Sequence, residues 1–164
     1  MSSTSRFHIR LAEPTDVESI KFIADSHTNE LGFVLRPALI EGIRRKSVLV
    51  ARTADTDTIV AFVHFHHRLD FQTKIYQICV MPAYRNQGIA AGLIDALKSC
   101  AIKAGQATIA LHCPEDLAAN LFYKALGFSN EGVVAGRKRR LVTWWFPLRL
   151  GAARVPEGDN ADGS

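Results

Sequence analysis

The residues able to do chemistry gather in two stretches. The first is Val80-Met81-Pro82-Ala83-Tyr84-Arg85-Asn86-Gln87-Gly88-Ile89-Ala90-Ala91. A short apolar run, Ile75 to Val80, ends at Pro82 and crosses a polar turn; beyond it the apolar residues fall at Ile89, Leu93, Ile94, Leu97, Ala101 and Ala104, the spacing of one buried helix face. The order is strand, loop, helix. The first N–H groups of such a helix lack intrahelical partners, and the positive end of its dipole adds to them, so this turn favours an anion. Gly88, without a Cβ, lets a phosphate approach the backbone closely. The second stretch is Asn120-Leu121-Phe122-Tyr123-Lys124-Ala125-Leu126-Gly127-Phe128, a helical segment that carries a tyrosine and is stopped by a glycine.

The elements that must position these residues follow from patterning. Phe7 to Leu11 alternates and reads as a strand; a helix follows near Pro14, with Thr15 and Glu18 at capping-box spacing and Val17, Ile20 and Ala24 inward. His27 to Leu35 reads as a loop. Pro37 suits the first turn of a second helix, with Leu39, Ile40 and Ile43 inward and Arg44 to Lys46 closing it. Val48 to Ala51 and Ile59 to His67 read as a hairpin turning at Thr53 to Thr58, and Phe62, His64 and His66 share one face of the second strand. The first half is thus an antiparallel meander with two inserted helices.

After the long helix, Thr108 to His112 reads as a buried strand that a right-handed crossover makes parallel to the one before it. Pro114-Glu115-Asp116 opens a helix with Leu117, Leu121, Phe122 and Ala125 inward. A last hairpin, Phe128 to Val134 and Leu141 to Phe146, turns at Ala135 to Arg140. The expected fold is an α/β (α+β) single domain over residues 7–150. It has a mixed, mostly antiparallel sheet of about seven strands around a parallel splayed pair, with about four flanking helices. Residues 1–6 are expected to be flexible and 151–164, without aromatics, disordered.

At 164 residues, 48% hydrophobic and 22% charged, the chain can form a core without disulfides or metals. No apolar run approaches the ~20 residues needed to span a bilayer, so no membrane role is expected. The N-terminus lacks an apolar signal core, and a cytoplasmic protein is expected. Cys79, Cys100 and Cys113 form no Cys-x-x-Cys pair and read as reduced thiols. The His64, His66 and His67 cluster has no cysteine or carboxylate at a ligand spacing, so no metal is expected. The formal charge of +4 suits an acidic partner, either a nucleic acid or a phosphorylated cofactor.

The two stretches together resemble the GNAT superfamily, the N-acetyltransferases that use acetyl coenzyme A (acetyl-CoA). Its signature, Gln/Arg-x-x-Gly-x-Gly/Ala after a strand ending Val-x-Pro, matches Val80-Met81-Pro82 and Arg85 to Ala90; its later Phe/Leu-Tyr-x-x-x-Gly-Phe matches Phe122-Tyr123 to Phe128. The dinucleotide fingerprint and the nucleotide P-loop are both absent. The resemblance spans about residues 7 to 148 through the order of elements. It implies acetyl-CoA as cosubstrate, its pantetheine on backbone groups of Ile78, Cys79 and Val80, and its pyrophosphate on the N–H groups of Asn86, Gln87, Gly88, Ile89, Ala90 and Ala91. Arg85 would add a charge-assisted contact, and a backbone N–H near Ile78 would polarise the thioester. Tyr123 would be the general acid toward the departing thiolate, since phenol and thiol differ by only ~1.5 units in ordinary pKa.

Two departures stand out. Many relatives carry an asparagine seven residues before the tyrosine; Asp116 stands there, and Asn120, one turn before Tyr123, is the candidate replacement for the pantetheine contact. Some relatives place a glutamate on the fourth strand where this chain has Lys74. Candidates for the general base are therefore His64, His66, His112 or Glu30 acting through water. The expected reaction is direct attack of an amine on the thioester, because no cysteine has a paired base. A CoA-binding or sensor domain without turnover is the alternative, and a nucleic-acid module is the third reading. Arg137-Lys138-Arg139-Arg140 reads as a solvated hairpin tip, for Trp144 and Trp145 alternate rather than interleave with cations. The acceptor amine is left open, and a homodimer is a candidate assembly.

Overall fold

The computed structural model describes residues 6–148. The expected disordered tail, 151–164, lies outside them, as does the expected flexible N-terminus apart from Arg6, whose carbonyl accepts the Ala54 N–H at 2.9 Å. The elements are β1 (Phe7–Leu11), α1 (Val17–Asp25), α2 (Thr28–Leu31), α3 (Arg36–Arg44), β2 (Val48–Thr53), β3 (Ile59–His67), β4 (Gln72–Val80), α4 (Ile89–Lys103), β5 (Thr108–Pro114), α5 (Ala119–Ala125), β6 (Ser129–Ala135) and β7 (Arg140–Pro147). Single 3-10 turns occupy Pro14–Asp16 and Pro82–Tyr84. The seven strands make a mixed sheet in the order β1-β2-β3-β4-β5-β7-β6, with β4 and β5 the parallel pair. Strand number and sheet class are as expected; the described residues hold five helices rather than four.

The described residues group into two compact units, one of residues 6–66 and 75–97, the other of 67–74 and 98–148. In the first, β1, β2 and β3 pair antiparallel, with Ile9 opposite Ala51 and Val50 opposite Phe62. Val48 to Ala51 and Ile59 to His64 are buried without alternation, as strands covered on both faces must be. Ile20, Ile23, Leu39, Val48, Val50, Phe62 and Cys79 share one core cluster. On the other face, a Cβ at Gly92 would lie 3.0 Å from Ile9 Cδ1, so α4 packs closely on β1.

Three local expectations are corrected here. The supposed loop contains α2, a single turn too short to register as a period. Ile40 is 50% exposed, because α3 turns Leu39, Gly42 and Ile43 inward and leaves Ile40 off that stripe. Thr15 and Glu18 do not cap the first helix. The capping box lies ahead of that helix, on the 3-10 turn Pro14–Asp16, where Glu13 is the N-cap and Asp16 Oδ2 accepts its N–H at 2.7 Å.

Asp16 is the buried charge of this unit. Its side chain is 6% exposed, 2.9 Å from Arg10 Nη1 and 3.4 Å from Arg52 Nη1. Burial works to raise the carboxyl pKa, but the Arg10 hydrogen bond, the Glu13 N–H and the two guanidinium charges outweigh it and hold the pKa below its ordinary value.

In the second unit β5 pairs antiparallel with β7 from Thr108 opposite Pro147 to Pro114 opposite Leu141. β6 pairs with β7 across a register shift between Asn130 and Val133, where Gly132 takes φ 111°. The N–H groups of Ala107 and Thr108 donate to Phe71 O at 2.7 and 3.3 Å, which sets the starts of β4 and β5 side by side. The helix expected from Pro114 begins only at Ala119, because pairing with β7 draws β5 on through Pro114. That delay turns the face: Leu121, expected inward, is 72% exposed, Ala125 is exposed, and Tyr123 is 6% exposed.

A carboxyl with a depressed folded pKa contributes stability that is present above its unfolded pKa and lost as pH falls through the folded one. Asp16→Ala should therefore lower the unfolding free energy at pH 7 by about 2 to 4 kcal/mol, and Asp16→Asn should lose part of the wild type's decline below about pH 4. Urea unfolding at pH 7 and pH 3 checks both; an Asp16→Ala midpoint equal to wild type would contradict the account.

Candidate active site

The first unit holds the turn between β4 and α4 that is expected to receive an anion. Met81 N–H pairs with Val60 O at 2.9 Å, the chain makes its 3-10 turn, and Arg85 folds back with Nε on Val80 O at 2.9 Å. Asn86 and Gly88 then take φ 63° and 83°, the left-handed region that glycine and asparagine tolerate best. Gly92 N–H returns to Gly88 O at 2.9 Å, so the N–H groups of Ile89, Ala90 and Ala91 lie before that first bond of the helical ladder. Arg85 through Gly88 are exposed, and a Cβ at Gly88 would meet nothing within 4 Å. Buried Ile89, Leu93, Ile94, Leu97 and Ala101 fix the helix that carries this cradle. The open cradle and its donors fit a phosphate group.

Upstream, β3 and β4 each run nine residues. His64 of β3 meets two residues of β4: its ring lies edge-on to Tyr76 at 5.4 Å and its Nδ1 is 3.2 Å from Gln77 Oε1. Ile78, Cys79 and Val80 follow immediately.

The candidate bases differ in environment. Burial lowers the pKa of His64 and so favours the neutral ring. His66 is half-buried and stacked on Tyr76 at 6.3 Å, and Glu30 is exposed on α2. In the second unit His112 is exposed, with Nδ1 3.1 Å from Thr143 Oγ1, and burial with the charge of Lys74 lowers its pKa. Burial pushes the Cys79 and Cys113 thiols up to about 11, so neither is a thiolate nucleophile at neutral pH.

The second unit presents Tyr123 on α5. Its ring packs against Phe122, Phe128 and Trp144 at centroid distances of 5.3, 5.9 and 6.3 Å. Asn120 does not offer a spare amide. Its Nδ2 lies 2.9 Å from Pro114 O and 2.8 Å from Leu117 O, and its Oδ1 accepts Trp144 Nε1 at 2.8 Å. Asp116 is no helix cap; both its oxygens face Arg139 Nη2, at 2.9 and 3.0 Å, and Arg140 Nε pairs with Glu115 at 3.1 Å. Half of the basic run is thereby neutralised.

Gln77, Tyr76 and Trp144 were not singled out as site residues from sequence. Only the alternation of the two tryptophans hinted at a buried indole. Among the described residues no group of three or more His, Cys, Asp or Glu could hold a metal, and no helix is long and apolar enough to cross a membrane.

Residues 44–130, more than half of the chain, match the family model for an acetyltransferase (GNAT) domain. The chain belongs to the GNAT acetyltransferase family. No curated protein matches it in sequence. Among solved structures, Ard1 from Thermoplasma volcanium superposes with a TM-score of 0.77 at 22% identity, over 87% of this chain and 98% of that one. The ribosomal-protein-S18-alanine N-acetyltransferase from Escherichia coli gives 0.73 at 19% identity, over 92% and 99%. N-acetylglutamate synthase from Neisseria gonorrhoeae, complexed with coenzyme A and N-acetyl-glutamate, gives 0.77 at 12% identity, over 91% of this chain and 37% of that one. At these identities the likeness is one of fold.

Because Asn120 ties the end of β5 to α5 and to Trp144, Asn120→Ala should cost about 2 kcal/mol of stability. CoA affinity of the folded variant should stay near wild type. Chemical denaturation and calorimetric titration separate the two, and a loss of CoA affinity at unchanged stability would reverse the assignment.

Proposed function

We propose that the protein is an N-acetyltransferase that moves an acetyl group from acetyl-CoA to a primary amine by direct attack within a ternary complex. The observation that carries the reading is the open turn from Arg85 to Ala91, where left-handed Asn86 and Gly88 leave backbone N–H groups and a guanidinium for a pyrophosphate. Membership of an acetyltransferase family and the coenzyme A bound by the Neisseria enzyme support it.

Each residue then has a defined task. Backbone groups of Ile78, Cys79 and Val80 hold the pantetheine arm, and the N–H groups of Asn86 to Ala91 hold the pyrophosphate. The Ile78 N–H stabilises the negative charge that develops on the carbonyl oxygen. The amine nitrogen bonds to the acetyl carbon as the carbon–sulfur bond breaks. Tyr123 gives its phenolic proton to the departing sulfur, and the proton shed by the amine passes to Glu30, His66 or His112, directly or through water. The raised thiol pKa values of Cys79 and Cys113 support direct attack rather than an acyl-cysteine. The segment His27 to Leu35 and the hairpin tip at Ala135 to Arg140 are the stretches we assign to acceptor choice. The three free cysteines suit a cytoplasmic setting.

Acetyl-CoA should raise the melting temperature of the purified protein. Tyr123→Phe should lower kcat by roughly 100-fold or more while the KM for acetyl-CoA stays within about twofold. Thiol release over a panel of small amines, peptide termini and lysines measures both. Unchanged kcat removes Tyr123 from the acid role, and CoA binding without release on any amine favours a CoA-binding protein without turnover, the role that Lys74 in place of a strand glutamate would suit.

A further inference from the structure

A glycine in a helix interior costs about 1 kcal/mol relative to alanine, so Gly42 in the middle of α3 needs a reason. The structure supplies one. A Cβ at Gly42 would lie 2.6 Å from His64 Nε2 and 3.1 Å from its Cδ2, so the missing methyl is the slot that admits the imidazole edge. The opposite edge of the ring reaches β4, with Nδ1 3.2 Å from Gln77 Oε1 and the ring 5.4 Å from Tyr76. At 8% exposure, between a helix backbone and two strand residues, the ring has little room to turn.

We propose that His64 is a positioning residue, a wedge between Gly42 on α3 and Tyr76 and Gln77 on β4 that fixes the direction of the neighbouring Ile78 N–H. The direction of a strand N–H follows the backbone just before it, and a close-packed ring held against those residues restrains that backbone. His64 applies this restraint from β3. Burial favours its neutral form, in which an Nδ1–H can donate to Gln77 Oε1. It does not touch the reacting atoms; it acts by aiming the donor that does. The proposal rests on the reading of Ile78 N–H as the donor to the thioester carbonyl.

The test combines kinetics with the infrared carbonyl stretch of bound acetyl-CoA labelled with carbon-13 at the thioester carbonyl. In wild type the stretch should fall below its solution frequency. His64→Leu should shift it back toward solution and lower kcat by about 10- to 100-fold, with the Kd for acetyl-CoA within threefold. His64→Asn, which returns an amide to the position of Nδ1, should recover most of both. Gly42→Ala, favourable for the helix alone, should reproduce the His64→Leu defect and serves if that variant does not fold. A lowered stretch and full turnover in either His64→Leu or Gly42→Ala would overturn the wedge and leave the acetyltransferase reading intact. An unshifted stretch in wild type would remove Ile78 as the donor and the wedge with it.

Discussion

An α-helix cannot bond its own first N–H groups, and a fold that exposes such a start leaves a place for an anion. In this protein the buried face of α4, Ile89, Leu93, Ile94, Leu97 and Ala101, holds the helix in place. Its exposed beginning therefore cannot relax. The turn before it reverses tightly, through Asn86 and Gly88 in the left-handed region, so that donors converge on open space. A side chain with a branched Cβ would disfavour that backbone at position 88, even though a methyl there would touch nothing.

The second constraint is the contact of His64 with β4. Its ring meets Tyr76 and Gln77 just before the residues assigned to the cofactor arm. Phe62 and Cys79 share a core cluster with Ile20 of α1 and Leu39 of α3. Packing and chemistry are thus coupled through one histidine and one glycine, His64 and Gly42, which are 22 residues apart in sequence.

Much of this was legible in the residues. The turn from strand to α4 was readable because Gly88 and the apolar spacing after it are local signals, and the bounds of β1, β3 and α4 follow the same patterning. What escaped depended on distant partners. Pairing with β7 extends β5 through Pro114, which delays α5 and buries Tyr123 where Leu121 was expected to face inward. The amide of Asn120 is taken by Pro114, Leu117 and Trp144, and nothing in the spacing of Asn120 and Tyr123 announces an indole more than twenty residues later. The contact of His64 with Tyr76 and Gln77 escaped for a similar reason: tyrosine and glutamine suit an ordinary strand, and the slot that admits the ring lies on another element, at Gly42.

The central claim is that the N–H groups from Asn86 to Ala91 receive the pyrophosphate of acetyl-CoA. Backbone amide resonances of the nitrogen-15-labelled protein, followed as CoA is added, test it most directly. The account predicts saturable shifts concentrated at Gly88, Ile89, Ala90 and Ala91, with smaller shifts along Ile78 to Val80. Saturable binding that leaves the amides of 86–91 unmoved would contradict it.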